Sequence, residues 1–151
     1  MTPRSVELIE AAAESWVGTP FCAGAAVKGR GVCCHRLVAE VYFEAGWLPR
    51  IELPGGSPRW GQGSNRSLME DWLDGSEGRK YFESRSSTGS TLGVGDLLGF
   101  RVGRCVHHLA IVMQGGRLVH AVEGHGVAIL SELPVVWRKR LARIWVPLTM
   151  P

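Results

Sequence analysis

GVCCHRLVAEVYFEAG, residues 31 to 46, places two cysteines and a histidine at the start of an apolar run. The apolar side chains recur with the spacing of one helical face, and Gly46 follows as a residue suited to end a helix. The stretch therefore predicts a helix over residues 33–45, with Leu37, Val38, Val41, Tyr42 and Ala45 on its core face. Cys34 lies in the first turn, where the helix dipole and unpaired N–H groups favour a thiolate, so it is the first candidate nucleophile.

The remaining sequence divides into a helical first part and a strand-rich second part. Residues 5–16 predict a helix with Ser5 as its N-cap, residues 67–73 a short helix, and residues 83–91 a polar connector. Short β-type segments separated by Gly-rich turns follow, namely GDLLGFRV, HHLAIVM, RLVHAV, GVAIL and RIWVPL. This order predicts an α+β fold, with N-terminal helices packed on an antiparallel sheet of about five strands. A length of 151 residues and 45% apolar content suit one domain over residues 1–151.

Composition and charge argue against several classes of function. No run approaches the roughly 18 apolar residues of a membrane span, and the N-terminus lacks the apolar segment of a secretory signal. We therefore expect a chain that is cytoplasmic as made and is released by lysis or carried by a larger particle. The net charge is only +3, and the basic run RKRLAR at 138–143 lacks a recognition helix or stacking platform, so no nucleic-acid partner is expected. The cysteines are too few for a disulfide framework and are expected to be free thiols: Cys22, Cys33, Cys34 and Cys105.

Two histidines are predicted to meet at one end of a β-hairpin. His108 opens the segment HLAIVM, His120 lies near the end of RLVHAV, and the turn QGGR joins the two segments. Because their separation is even, both side chains point to one face if no bulge intervenes. A cysteine, a base histidine and a second polar group that orients the base form a catalytic triad. In this arrangement Cys34 attacks, His108 takes and returns the proton, and His120 holds the ring of His108.

These motifs together resemble those of the NlpC-type cell-wall peptidases, a papain-like cysteine hydrolase family. The resemblance is carried by WVGTPFCAGA, GVCCHRLVAEVYFEAG, GDLLGF and HHLAIVMQGGRLVHA, and it covers about residues 16–145. It implies a papain-like fold with Cys34 as nucleophile, His108 as base and His120 as the orienting residue. It further implies a cysteine peptidase or amidase that cuts an amide in peptidoglycan stem peptides through a thioester, with no cofactor or metal. The short phage-associated members look most similar, so a phage tail or similar particle is an expected partner.

The chain departs from the family pattern around the nucleophile. Cys33 replaces the usual Asp, His35 and Arg36 replace Ser-Gly, and Phe21 stands where a tyrosine is common. Since that Asp helps many members to hold the free amine of a stem peptide, the departures imply altered substrate recognition. Phe21, Cys33 and His35 are the expected substrate-binding residues. Cys33 is expected to pack or to line a subsite wall, and His35 to lie at the cleft rim or in solvent.

Three alternatives stay open at the level of the sequence. The thiols and imidazoles could bind a metal ion, although adjacent Cys-Cys-His cannot easily reach one ion. The chain could be a non-catalytic structural module of a phage tail or similar particle. It could also be a papain-like amidase or acyltransferase on a substrate outside the cell wall, because fold and triad do not determine the substrate. The turn-rich residues 49–67 are expected to form a rim loop near a site.

Overall fold

The computed structural model describes residues 2–53, 67–89 and 91–148. Most of the rim loop expected over residues 49–67 therefore lies outside the described residues. The helices of the described part are α1 (Pro3–Trp16), α2 (Cys34–Glu44), α3 (Leu68–Asp74) and α4 (Val135–Arg138). Its strands are β1 (Ala26–Val27), β2 (Gly31–Val32), β3 (Phe82–Arg85), β4 (Leu97–Val102), β5 (Cys105–Val112), β6 (Leu118–Val122), β7 (Gly126–Leu130) and β8 (Leu141–Pro147). None of the helices in these ranges is long and apolar enough to cross a membrane.

The first helix begins earlier than predicted, because Thr2 rather than Ser5 is its N-cap. The Thr2 hydroxyl oxygen accepts a hydrogen bond from the Ser5 backbone N–H at 3.1 Å. Pro3 then occupies the first turn, where its missing N–H leaves no bond unmade. Ser5 itself is fully buried inside the helix. The prediction of Ser5 as N-cap was therefore wrong by three residues.

The second helix has nearly the predicted bounds. Cys33 is its N-cap with an extended backbone, and Ala45 is its C-cap. Gly46 follows with φ +74°, a backbone conformation that favours glycine over residues with a side chain. The core face of α2 is the one predicted, since Leu37, Val38, Val41, Tyr42 and Ala45 are all buried. Cys34 is thereby placed in the first turn of a helix that is anchored along its length.

Among the described residues, the main sheet is antiparallel and has six strands in the order β3-β8-β4-β5-β6-β7. The α+β class is thus confirmed, whereas the expected count of about five strands was wrong. The additional strand is β3, which pairs with β8 at the edge of the sheet. Its sequence looks like a connector because only Phe82 of its four residues is buried. Its strand conformation depends on backbone pairing with β8, which local sequence does not show.

The sheet packs apolar side chains on both of its faces. One face meets α1 and α2 in the larger cluster, with Ile9, Leu37, Leu109, Ile111, Val119 and Trp145 among its members. The opposite face carries a smaller cluster of Leu98, Phe100, Ala110, Val112, Leu118, Leu133 and Ile144. Side chains alternate between faces along a strand. His108 and His120 therefore share the face of Ala110 and Leu118, opposite to α1 and α2.

Candidate active site

Cys34 sits where the first turn of α2 meets strand β5. Its thiol donates a hydrogen bond to the backbone carbonyl of His107, with 3.4 Å between Sγ and O. A β-bulge makes this contact possible: Phe100 pairs with His108 and Arg101 with Val106, which leaves His107 as an extra residue in β5. The bulge lies outside the segment between His108 and His120. It therefore brings the β5 backbone to the thiol without disturbing the alternation from His108 onward.

Burial outweighs the helix N-terminus in setting the acidity of the thiol. Backbone N–H groups of Leu109, His35 and Cys34 lower the pKa of the Cys34 thiol, as expected for a first-turn cysteine. Desolvation and the neighbouring Cys33 act in the opposite direction and raise that pKa to about 12. Cys34 is 8% exposed. The thiol is therefore protonated in the resting protein at neutral pH, in contrast to the thiolate expected from the helix position.

His108 and His120 are in direct contact, on the same face of the β5–β6 hairpin as predicted. Nε2 of His108 lies 3.0 Å from Nδ1 of His120. Both side chains are buried, and burial lowers the pKa of both imidazoles. The pKa of His108 falls to about 3, because the neighbouring His120 and His107 add to the effect of burial. Two neutral imidazoles can share this bond only if one nitrogen donates and the other accepts. When Nε2 of His108 is the donor, its Nδ1 is the nitrogen that can take up a proton.

Two further aromatic side chains surround His108 on this face of the sheet. The Trp137 indole lies 4.6 Å from the His108 ring between centroids, and the Phe100 ring lies at 5.7 Å. Trp137 also approaches His120 at 6.5 Å with its plane nearly perpendicular to that imidazole. Sequence reasoning missed both residues as part of the site. A tryptophan inside the basic and otherwise exposed run VVWRKR was the only available signal.

The three expected substrate-binding residues are placed differently from one another. His35 is buried, so the expectation of a cleft-rim or solvent position was wrong. Its Nδ1 lies 3.4 Å from Sγ of buried Cys33, and burial together with Arg36 and His107 lowers the pKa of His35 to about 4. Phe21 is half-buried and forms a bridge with Val32. Binding of substrate by these residues stays a prediction.

Other polar groups near the site have structural contacts. Asp96 accepts a hydrogen bond from the Gly93 backbone N–H at 2.8 Å and so organises the turn before β4. All four cysteines are free, as expected, and Cys22 is the exposed one. Within the described ranges, no group of three or more His, Cys, Asp or Glu side chains is arranged to hold a metal ion.

The fold agrees with the comparisons to known proteins. The model of the NlpC/P60 family matches residues 18–146, so the chain belongs to that family. Among curated protein sequences, none matches the chain significantly.

Several solved structures share the fold. An NLP/P60 family protein similar to a lipoprotein, from Staphylococcus aureus subsp. aureus Mu50, is 25% identical with a TM-score of 0.59. The NlpC/p60 domain of the peptidoglycan hydrolase SagA is 19% identical with a TM-score of 0.58. An NlpC/P60 family protein from Bacillus cereus ATCC 10987 is 21% identical with a TM-score of 0.60. These matches cover 95%, 93% and 95% of this chain, but 42%, 97% and 40% of the other chains, respectively. The chain thus spans less than half of two of them and nearly all of the SagA domain.

Proposed function

We propose that this chain is a cysteine peptidase or amidase that hydrolyses an amide bond in peptidoglycan stem peptides through a thioester. Two observations carry the proposal: Cys34 lies at a helix N-terminus with its thiol on the backbone of His107, the residue before His108, and His108 in turn contacts His120. Membership of the NlpC/P60 family and the fold shared with the domain of a peptidoglycan hydrolase support the substrate class.

In the proposed reaction, His108 acts through its two ring nitrogens. Nε2–H donates to Nδ1 of His120, which leaves Nδ1 of His108 as the base. Nδ1 takes the thiol proton while the Cys34 sulfur forms a bond to the amide carbon. The backbone N–H of Cys34 is our candidate donor to the oxyanion. The C–N bond then breaks, and the amine leaves with the proton that His108 returns.

A water molecule completes the cycle by hydrolysing the thioester. His108 removes a proton from the water, the hydroxyl attacks the acyl carbon, and Cys34 leaves as a thiol after proton return. The raised pKa of the thiol and the lowered pKa of His108 mean that both groups are neutral at rest. We therefore propose that proton transfer accompanies attack on the substrate, instead of preceding it as a stable thiolate–imidazolium pair.

The position before the nucleophile bears on substrate choice. Cys33 supplies a thiol where the family usually has a carboxylate, and its sulfur contacts His35. A substrate ammonium would therefore lack a charge partner at this position. We propose that the enzyme accepts a stem peptide whose amine is acylated, as in a stem still joined to the glycan. The test compares turnover of that substrate with turnover of the same peptide bearing a free amine; a strong preference for the free amine contradicts the proposal.

The function itself is tested by digesting purified peptidoglycan and identifying the new termini by mass spectrometry. We expect new amino and carboxyl termini within the stem peptides, and none with Cys34→Ala. Cys33→Ala is the matched control, since it changes the adjacent buried thiol and should leave cleavage measurable. Equal digestion by Cys34→Ala and the unmodified chain contradicts the proposal. The association with a phage tail or similar particle stays a separate prediction, tested by looking for the chain in purified particles.

A further inference from the structure

Helix α4 (Val135–Arg138) contributes one half-buried side chain, Trp137, to the packing of the protein. None of its residues is buried, and Val135 and Val136 are 68% and 61% exposed. Trp137 is the half-buried residue of the helix, and it faces the second side of the sheet. Its indole contacts the three rings of Phe100, His108 and His120, with centroids 5.3, 4.6 and 6.5 Å away. The inward-facing residue of this short helix therefore contacts both imidazoles and also packs against the second apolar cluster.

We propose that Trp137 is a positioning residue for His108: its indole holds the imidazole against His120 and keeps water away from the hydrogen bond between them. The inference rests on the proposed function in so far as His108 is the base. The indole covers one side of the His108 ring at a tilt of 31°, and it meets His120 at 87°. The Nε2–Nδ1 bond lies between the two rings that Trp137 contacts.

The physical effect of this cover is twofold. Without the indole, the His108 ring could rotate about its side-chain torsions and exchange its hydrogen bond to His120 for one to water. The indole excludes these ring conformations, in which Nδ1 of His108 would be misplaced. A hydrogen bond shielded from water is also stronger, because the local dielectric constant is low. Both effects act on the geometry of the base and not on the affinity for substrate. Loss of the indole should therefore lower kcat more than it raises KM.

The charged and titratable groups around His108 come from several elements. They are His107 on its own strand, His120 on β6, and Arg140, whose guanidinium lies over the Trp137 indole at 5.8 Å; the Cys34 thiol of α2 contacts the backbone of the preceding residue, His107. Desolvation is the largest cause of the low pKa of His108. Removing the indole admits water and weakens that cause. The pKa of His108 should then rise toward its ordinary value of 6.5.

The experiment compares Trp137→Ala with Trp137→Phe and with Val136→Ala. Val136→Ala is the matched control, because it truncates an exposed residue of the same helix. Steady-state kinetics on stem peptides should show kcat reduced by about tenfold to a hundredfold in Trp137→Ala, which is the size expected for a misplaced catalytic group. Trp137→Phe should recover part of that loss, since a ring remains. Val136→Ala should match the unmodified chain.

Histidine ring resonances give a second readout that does not depend on activity. NMR titration should show His108 uncharged above pH 5 in the unmodified chain and in Val136→Ala, with a titration midpoint at least about one unit higher in Trp137→Ala. Spectra of His108→Gln and His120→Gln assign the signals. If the chain cleaves stem peptides but Trp137→Ala changes neither kcat nor the titration, the inference is overturned and the proposed function stands. If no amide is cleaved but the titration shifts, the proposed function fails while the placement of His108 by Trp137 is supported.

Discussion

Acidification from pH 7.5 to pH 5 is expected to destabilise this protein through its buried histidines. Burial lowers the pKa of His108 to about 3 and that of His35 to about 4. In the unfolded chain both return to an ordinary value near 6.5. Between these limits the unfolded state binds more protons than the folded state, so the free energy of unfolding falls as pH falls. The contribution of the two neutral, buried histidines to the free energy of unfolding is therefore complete above pH 6.5 and is lost progressively below that pH.

The magnitude follows from the gap between pH 5 and the unfolded pKa. For each histidine that stays neutral in the folded state, the free energy of unfolding at pH 5 is lower by about 2 kcal/mol. This value is the gap of about 1.5 pH units below the unfolded pKa, at about 1.4 kcal/mol per unit. His35 and His108 together account for about 4 kcal/mol. This is a large part of the roughly 5–15 kcal/mol typical of domains. His120 adds to the effect in the same direction, because its pKa is also lowered by burial.

Urea unfolding followed by tryptophan fluorescence at pH 7.5, 6 and 5 measures the effect. With a slope of about 2 kcal/mol per M, the midpoint should fall by about 2 M between pH 7.5 and 5. His35→Gln should lose about half of this pH dependence, whatever its stability at pH 7.5. His125→Gln is the control, because His125 is exposed. Equal midpoints at pH 7.5 and 5 would refute the reasoning, as would an unchanged pH dependence in His35→Gln.

Further predictions concern the thiols and the triad. Iodoacetamide at pH 7 should label exposed Cys22 before Cys34, because burial and a raised pKa slow the reaction of the Cys34 thiol. Peptide mass spectrometry measures the order of labelling. Faster labelling of Cys34 would contradict this prediction and would mean an open site with a thiolate. Cys34→Ser should abolish stem-peptide cleavage and Cys33→Ser should keep it, whereas the reverse pattern in the same assay would shift the nucleophile by one residue. His108→Ala should lose nearly all turnover. His120→Asn should keep a measurable kcat, because its amide oxygen can still accept a hydrogen bond from Nε2–H of His108. Equal, complete loss of turnover in both variants would contradict these roles.

Several features of the site follow from local sequence. The spacing of apolar residues and Gly46 predicted α2 and the position of Cys34 in its first turn, because a helix has one period and its end needs a defined backbone. The turn between two apolar segments and the even separation of His108 and His120 predicted their shared face. These inferences succeed because the interactions behind them join residues that are close in the chain.

Other features needed the tertiary structure, because they depend on contacts between distant segments. The edge strand β3 exists through its pairing with β8, more than fifty residues later. The protonated state of the Cys34 thiol results from burial against β5, which overrides the helix N-terminus that the sequence revealed. The contact between Trp137 and His108 is formed by a one-turn helix and a strand that are distant in the sequence. The thiol and imidazole pKa values depend on how far solvent is excluded from each group. That exclusion is determined by all of the segments packed around the group, so no single stretch of sequence predicts it.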